Sequence, residues 1–207
     1  MDARVASHFK TSDPILFSAL QKIPDSSRLT PSRSTDYFSD LVEAIICQQL
    51  SDKAGATIFA RVQNLFPKKR ITPKHVLKIS NEKIRMAGPS RSKVLYMKEL
   101  AKAVSRKAID LVALTSMIDE EVIAALTKLK GIGPWTAEMF LMFTLGRKDV
   151  FSYGDLGLRK AISRLYKLKK EPSRKQIERI TNKWRPFRTY ACRILWKSLE
   201  LPDIVKK

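Results

Sequence analysis

Two stretches of this chain have residue types and spacing that could do chemistry: the turn Leu129-Lys130-Gly131-Ile132-Gly133-Pro134-Trp135-Thr136-Ala137, and Asp155 about twenty residues further on. In the turn, two glycines let backbone amides face outward with no Cβ in the way, and Pro134 sits where a first helical residue can lack its N–H. Such a turn is an anion site at a helix N-terminus. Asp155 lies in Val150-Phe151-Ser152-Tyr153-Gly154-Asp155-Leu156-Gly157-Leu158-Arg159-Lys160. Its spacing admits two compatible roles: N-cap of a helix starting at Leu156, or a carboxylate held for electrostatic work on a substrate.

The elements around the turn form a hairpin. Val122 to Leu129 reads as one helix, and Trp135, Met139, Met142 and Phe143 recur at helical spacing on one face of a second. An ordinary helix corner also ends in glycine, so charge has to decide between corner and anion site. The chain carries 40 Lys and Arg against 20 Asp and Glu, a net charge of +20, which is the footprint of a polyanion binder. No run of eighteen apolar residues and no signal-peptide order points to a membrane, so nucleic acid is the expected polyanion. The run Pro67-Lys68-Lys69-Arg70 reads as a solvated loop.

Cys47 and Cys192 are the only cysteines and there are 2 histidines, too few for a four-cysteine iron–sulfur cluster or an all-protein zinc site. Both thiols lie in apolar helical patterns and are expected to be buried and reduced. Helical patterns fill the rest. Asp13-Pro14 caps a stripe of Ile15, Leu16, Ala19 and Leu20, and Pro24 to Thr35 reads as a loop. Tyr37 to Gln49, Lys53 to Phe66, a helix opened by Thr72-Pro73, Asn81 to Met86 and Lys93 to Val104 follow. Ser173 with Gln176 forms a capping box, and Arg188 to Leu199 closes the chain. No strand alternation is sustained, so the fold class is all-α.

These residues together resemble a known family. The glycine hairpin with its trailing aspartate is similar to the helix-hairpin-helix DNA glycosylase superfamily, and three further stretches resemble its 3-methyladenine DNA glycosylase II branch: Glu43 to Ala54 with Gln48-Gln49-Leu50-Ser51, the Gly88-Pro89-Ser90-Arg91-Ser92-Lys93-Val94-Leu95-Tyr96 run, and Trp184-Arg185-Pro186-Phe187-Arg188-Thr189-Tyr190-Ala191 with Trp196. The resemblance spans roughly residues 36 to 199. It implies a two-lobed helical fold with the active-site cleft between lobes, in a compact form without the family's N-terminal β-rich domain. Lobe one would cover about 36–146, including the hairpin at 122–146, and lobe two about 1–35 plus 147–207, as a single glycosylase unit.

The resemblance implies a monofunctional DNA glycosylase that excises alkylated bases from double-stranded DNA by hydrolysing the N-glycosidic bond in base excision repair. Bifunctional members place a nucleophilic lysine two residues beyond the second hairpin glycine, and here Trp135 stands there, so no Schiff base can form. Lys128 and Lys130 read as solvated or phosphate-facing. A base must leave the stack to be reached. An alkylated ring nitrogen makes it a good leaving group, so the main task left is to stabilise oxocarbenium charge on the sugar and orient water; Asp155 is the candidate for that, and the resemblance implies that it is the catalytic carboxylate.

The base pocket implied by the resemblance is Trp135, Phe143, Tyr190 and Trp196, with Gln49 at base edges. Aromatic faces attract a cationic base by roughly 0.5 to 2 kcal/mol. Leu50 or Ser51 would be the wedge that fills the vacated stack. The amides of Gly131, Gly133 and Thr136 would hold a phosphate, and the carbonyls of Thr127, Leu129 and Ile132 a structural Na+ or K+ when DNA is bound. No cofactor is expected for the chemistry. The expected state is a monomer away from membranes, in the cytoplasm (nucleoid) of a prokaryote or the nucleus of a eukaryote. Relatives commonly have proline soon after the Val-Phe pair, whereas Ser152-Tyr153-Gly154 here loosens the approach to Asp155, and Tyr153 either narrows the pocket mouth or packs. The alternative is a non-catalytic helix-hairpin-helix protein that binds DNA or recognises lesions without excision.

Overall fold

The computed structural model describes residues 2–201. Among these, twelve α-helices follow one another: α1 Ala3–Ser12, α2 Pro14–Gln21, α3 Tyr37–Cys47, α4 Asp52–Gln63, α5 Pro73–Lys78, α6 Asn81–Met86, α7 Arg91–Ser105, α8 Asp119–Thr127, α9 Pro134–Met139, α10 Leu156–Leu165, α11 Arg174–Thr181 and α12 Arg188–Glu200. No strand occurs among the described residues, and none of their helices is long and apolar enough to cross a membrane. The chain divides into two compact units, residues 34–145 and residues 2–33 with 146–201.

Most helix starts are set by a short polar side chain. Asp13, Asp36, Ser51, Thr72, Ser80, Ser90, Asp155 and Ser173 each accept a backbone N–H from the first turn of the helix that follows. Each such cap satisfies a donor that the helix leaves open, worth about 1 kcal/mol. The structure adds α1, which the sequence patterns did not indicate. It also begins the third long helix at Arg91 rather than Lys93, because Ser90 is its cap.

In the unit of residues 34–145, α3 supplies the centre: Leu41, Val42, Ile45 and Ile46 are fully buried against α4, α7 and α9. Helix α3 ends at Cys47 rather than running to Gln49, since Gln48 is extended and Gln49 has φ 57. Cys47 is only half-buried, which corrects the expectation of two buried thiols; Cys192 is buried. The space above Cys47 is glycine's, because a Cβ at Gly55 would lie 2.6 Å from Sγ.

The second hairpin helix departs from the expected single face. It is α-helical to Met139, then makes a π turn over Phe140–Thr144 in which Leu145 N–H donates to Phe140 O at 2.9 Å. One α turn plus one π turn take about eight residues, so Trp135 and Phe143, eight apart, return to the same side. Both are exposed, at 36% and 45%, while Met139 and Met142 are buried.

In the other unit, α12 packs on α2 and α10. Asp13 ties it together: beyond capping α2 through Leu16 N–H, its carboxylate accepts from Tyr166 Oη and, at 2.9 Å, from Trp184 Nε1. Burial, and then the bond to Asp13, pushes the Tyr166 phenol above its ordinary range. Trp184 itself is fully buried.

Candidate active site and hairpin

Helix α3's carboxyl end and the glycine turn are built as one piece. Gln48 Nε2 donates to Gly131 O at 2.8 Å and to Thr136 Oγ1 at 3.0 Å, and Thr136 is buried. Lys93 Nζ donates to Ile46 O at 2.8 Å and Gln48 O at 2.7 Å, a cation on the last carbonyls of α3. Burial pushes that ammonium down from its ordinary value, and the Cys47 thiol offsets part of the effect. Tyr96, one turn further along α7, lies on Gly131, where a Cβ would come within 2.1 Å of its ring. The Gly88-to-Tyr96 run therefore acts from within the fold: Ser90 caps α7, Lys93 caps α3 and Tyr96 seats the turn.

The two hairpin glycines do different work. Gly131 has φ 92 and needs glycine both for backbone and for Tyr96. Gly133 has φ −93, and a Cβ built there would meet nothing within 4 Å. Neither the fold nor the backbone requires glycine at 133; the open space beside it is available to an outside partner. The first hairpin helix ends at Thr127, short of the expected Leu129, and Ile132 N–H donates to Leu129 O at 3.1 Å.

Beside this turn, Gln49 is exposed and left-handed, Leu50 is 38% exposed, and Ser51 spends its hydroxyl accepting Ala54 N–H at 3.4 Å as the cap of α4. An apolar side chain in water next to a strained residue is a conspicuous arrangement.

In the unit of residues 2–33 and 146–201, Asp155 and Trp196 meet. Asp155 is 8% exposed; its Oδ1 accepts Leu158 N–H at 2.7 Å, as the cap of α10, and Trp196 Nε1–H at 3.1 Å. The cap and the tryptophan hold the same oxygen, which fixes the carboxylate's aim. Gly157 makes room for the pair, since a Cβ there would lie 3.1 Å from Asp155 Oδ1 and 3.2 Å from Trp196 Cδ1.

The expectation for Tyr190 is corrected. Six residues before Trp196 on α12, it faces another side of that helix, is buried, and packs edge-on against Phe187 with ring centres 5.9 Å apart. It belongs to the core. Tyr153, which the sequence left between two roles, packs: its ring lies edge-on to Phe151 at 4.9 Å, and the Arg174 guanidinium sits 4.6 Å over it. Ser152 is fully buried.

Residues 42–186 match the HhH-GPD superfamily of base excision DNA repair proteins. The chain belongs to that superfamily. It is 34% identical over 185 residues to DNA-3-methyladenine glycosylase 1 of Schizosaccharomyces pombe, covering 85% of this chain and 79% of that one. It is 36% identical over 169 residues to the DNA-3-methyladenine glycosylase of Saccharomyces cerevisiae, covering 76% of this chain but 57% of that longer protein. Among solved structures, the S. pombe 3-methyladenine DNA glycosylase Mag1 in complex with abasic DNA superposes with a TM-score of 0.87 at 30% identity, over 99% of this chain and 100% of that one. For an HhH-GPD protein, sequence reasoning singled out Asp155 and the hairpin but gave no individual role to Gln48, Gly157, Arg188 or Thr189, although all four lie in the stretches quoted above. A glycine in the first turn of a helix, where propensity disfavours it, was the available signal for Gly157.

Proposed function

We propose that this chain is a monofunctional DNA glycosylase that hydrolyses the N-glycosidic bond of alkylated bases such as 3-methyladenine in double-stranded DNA, as a base excision repair enzyme acting as a monomer in the nucleoid or nucleus. The observation that carries the proposal is the Asp155 carboxylate, held at the start of α10 by the Leu158 amide and the Trp196 indole. Family membership and the likeness to named 3-methyladenine glycosylases support it.

Once the nucleotide has rotated out of the stack, at about a few kcal/mol, the leaving base carries away the bonding pair of C1′ and positive charge develops on the sugar. Asp155 stabilises that charge and orients the water that adds to C1′, whose proton is released. Trp135 and Phe143, brought to one side by the π turn, offer electron-rich faces to a cationic base. Trp135 is no amine, so the product is an abasic site with its strand intact. Gly131, Gly133 and Thr136 take a phosphate, and Leu50 fills the stack. A Na+ or K+ beside that phosphate fits the carbonyls of Thr127, Leu129 and Ile132, which lie at and just beyond the α8 carboxyl end, where helix carbonyls lack intrahelical donors; Leu129 O retains a second lone pair beside its bond to Ile132. That ion would be structural.

Duplexes bearing single defined lesions, scored for free base and then for strand breaks before and after alkali, test the proposal. Release of 3-methyladenine, breaks only after alkali, and no adduct on borohydride treatment are expected. Tight binding with no base released from any alkylated duplex would favour the non-catalytic alternative, and a borohydride-trapped adduct would overturn the monofunctional assignment.

A further inference from the structure

Nine residues without regular structure, 146 to 154, lead to Asp155, and one face of α12 holds them at successive points. Thr189, fully buried in the first turn, bonds to this segment at three residues. Its N–H donates to Lys148 O at 3.0 Å, its Oγ1 donates to Arg147 O at 2.6 Å, and the same Oγ1 accepts Val150 N–H at 3.0 Å. Cys192 Sγ lies 3.7 Å from Val150 O, and Trp196 Nε1 reaches Asp155 Oδ1. Positions 189, 192 and 196 are spaced three and four apart, so they stack along one helix face. Over seven residues that face is about 10.5 Å long.

A second set of bonds locks the start of the segment. Asp149 Oδ1 accepts from Arg188 Nε at 2.8 Å and Arg188 N–H at 3.2 Å, Arg188 Nη2 also donates to Asp149 O, and Arg185 Nη1 donates to Asp149 Oδ2 at 2.9 Å. Arg188 is largely buried in this arrangement, at 12% side-chain exposure. A carboxylate gripped by a largely buried guanidinium and a hydroxyl bonded on both its donor and acceptor sides are stronger fixings than a solvated ion pair.

We propose that Thr189, with the Arg188–Asp149 pair, is a positioning element for excision: α12 acts as a ruler that sets the 147–150 segment at one end and the Asp155 carboxylate, through Trp196, at the other. The proposal rests on the reading that Asp155 carries the chemistry. Because a carboxylate stabilises charge only where it is aimed, releasing the far end of the ruler misplaces Asp155 and lowers the chemical rate without touching the groups that hold DNA.

Single-turnover excision, binding to an abasic-site duplex and thermal unfolding are measured for Thr189→Val, Thr189→Ser, Asp155→Asn and the Thr189→Val/Asp155→Asn pair. Thr189→Val is expected to slow excision about 10- to 100-fold with binding within about twofold of the parent. Thr189→Ser, which keeps the oxygen, recovers most of the rate. In the Asp155→Asn background Thr189→Val removes nothing further, as for two residues acting through one group, whereas a merely structural threonine would give additive losses. Should Thr189→Val fail to fold, Asp149→Asn loosens the same segment from a partly exposed position and is read by the same comparison. Additive losses, or a variant with parent-like rate, overturn the ruler. Asp155→Asn with parent-like excision overturns instead the catalytic reading on which it rests.

Discussion

Gly157 leaves Trp196 just enough room to reach Asp155. A Cβ at position 157 would stand 3.3 Å from Trp196 Nε1 and 3.1 Å from the very oxygen that the indole bonds. Alanine in a helix is normally favoured over glycine by up to about 1 kcal/mol. Gly157→Ala is therefore expected to leave thermal stability equal or higher while slowing excision by about tenfold, because the carboxylate and indole must part by a few tenths of an ångström. Unfolding curves and single-turnover rates on one alkylated duplex check both signs; a Gly157→Ala variant as fast as the parent would mean the bond tolerates that displacement.

The two ends of the site were unequally legible in the sequence. Caps such as Asp13, Thr72 and Ser173, and the identity of Asp155, are local features, and a short polar residue before an apolar stripe declares itself. What holds Asp155 is not local: Trp196 lies 41 residues away and Thr189 pairs with residues about forty positions earlier. Periodicity sees helix faces but not which face meets which segment, so it could not separate Tyr190 from Trp196, which the resemblance put together in the pocket and α12 turns apart. The π turn was hidden for a related reason. It shifts the register by a hydrogen-bonding choice that apolar spacing at 3.6 residues does not encode.

Gly131 and Gly133 should separate folding from binding. Gly131→Ala places a Cβ inside the Tyr96 ring at positive φ, so a loss of about 1–3 kcal/mol of stability is expected, with DNA affinity falling as a consequence. Gly133→Ala meets open space at ordinary φ and should unfold at the parent's temperature, and Gly133→Asp likewise. If the turn takes a phosphate, Gly133→Asp still lowers affinity for every duplex alike, through repulsion and blockage. Parent-like affinity in that variant would reduce the hairpin to a structural corner.

Lys93 fastens α3 to α7 beneath the turn. Removing the ammonium in Lys93→Met leaves the carbonyls of Ile46 and Gln48 without their donor, for which a loss of about 1–2 kcal/mol is expected. Because Gln48 also grips Gly131 and Thr136, the variant should lose duplex affinity even at temperatures where it remains folded. Chemical denaturation and anisotropy binding on the same preparation measure the two effects, and unchanged values for both would dismiss the brace.

Glu43 supplies a pH dependence with a definite sign. Burial, with Asp40 adding to it, pushes its carboxyl above the ordinary value, so the folded state favours the protonated acid. Its contribution is then fully present below the unfolded-state pKa and is lost as pH rises through the folded one. Glu43→Gln mimics the protonated form and should raise the unfolding temperature at pH 7 while changing it little near pH 4. Melting curves across that range decide the matter; a variant destabilised at neutral pH would show that the ionised carboxylate contributes favourably.

Leu50 and Ser51 occupy neighbouring positions but should behave differently. The Ser51 hydroxyl is already committed to Ala54 N–H, so Ser51→Ala should cost about 1 kcal/mol of helix capping and weaken all duplexes little and alike. Leu50 is exposed with its backbone N–H bonded to Cys47 O at 3.1 Å, which leaves an apolar side chain on a fixed stem. If it fills the gap left by a rotated nucleotide, Leu50→Ala should weaken abasic and mismatched duplexes by about tenfold and intact ones hardly at all, since an apolar wedge matters only once a base has left the stack. The parent's affinity for all of them should fall steeply with salt as phosphate contacts release counterions, and because the leucine carries no charge, the slope should be the same in the Leu50→Ala variant. Anisotropy on paired damaged and intact duplexes over a salt series reads both quantities, and equal losses on the two duplexes would remove Leu50 from the stack and return it to the protein surface.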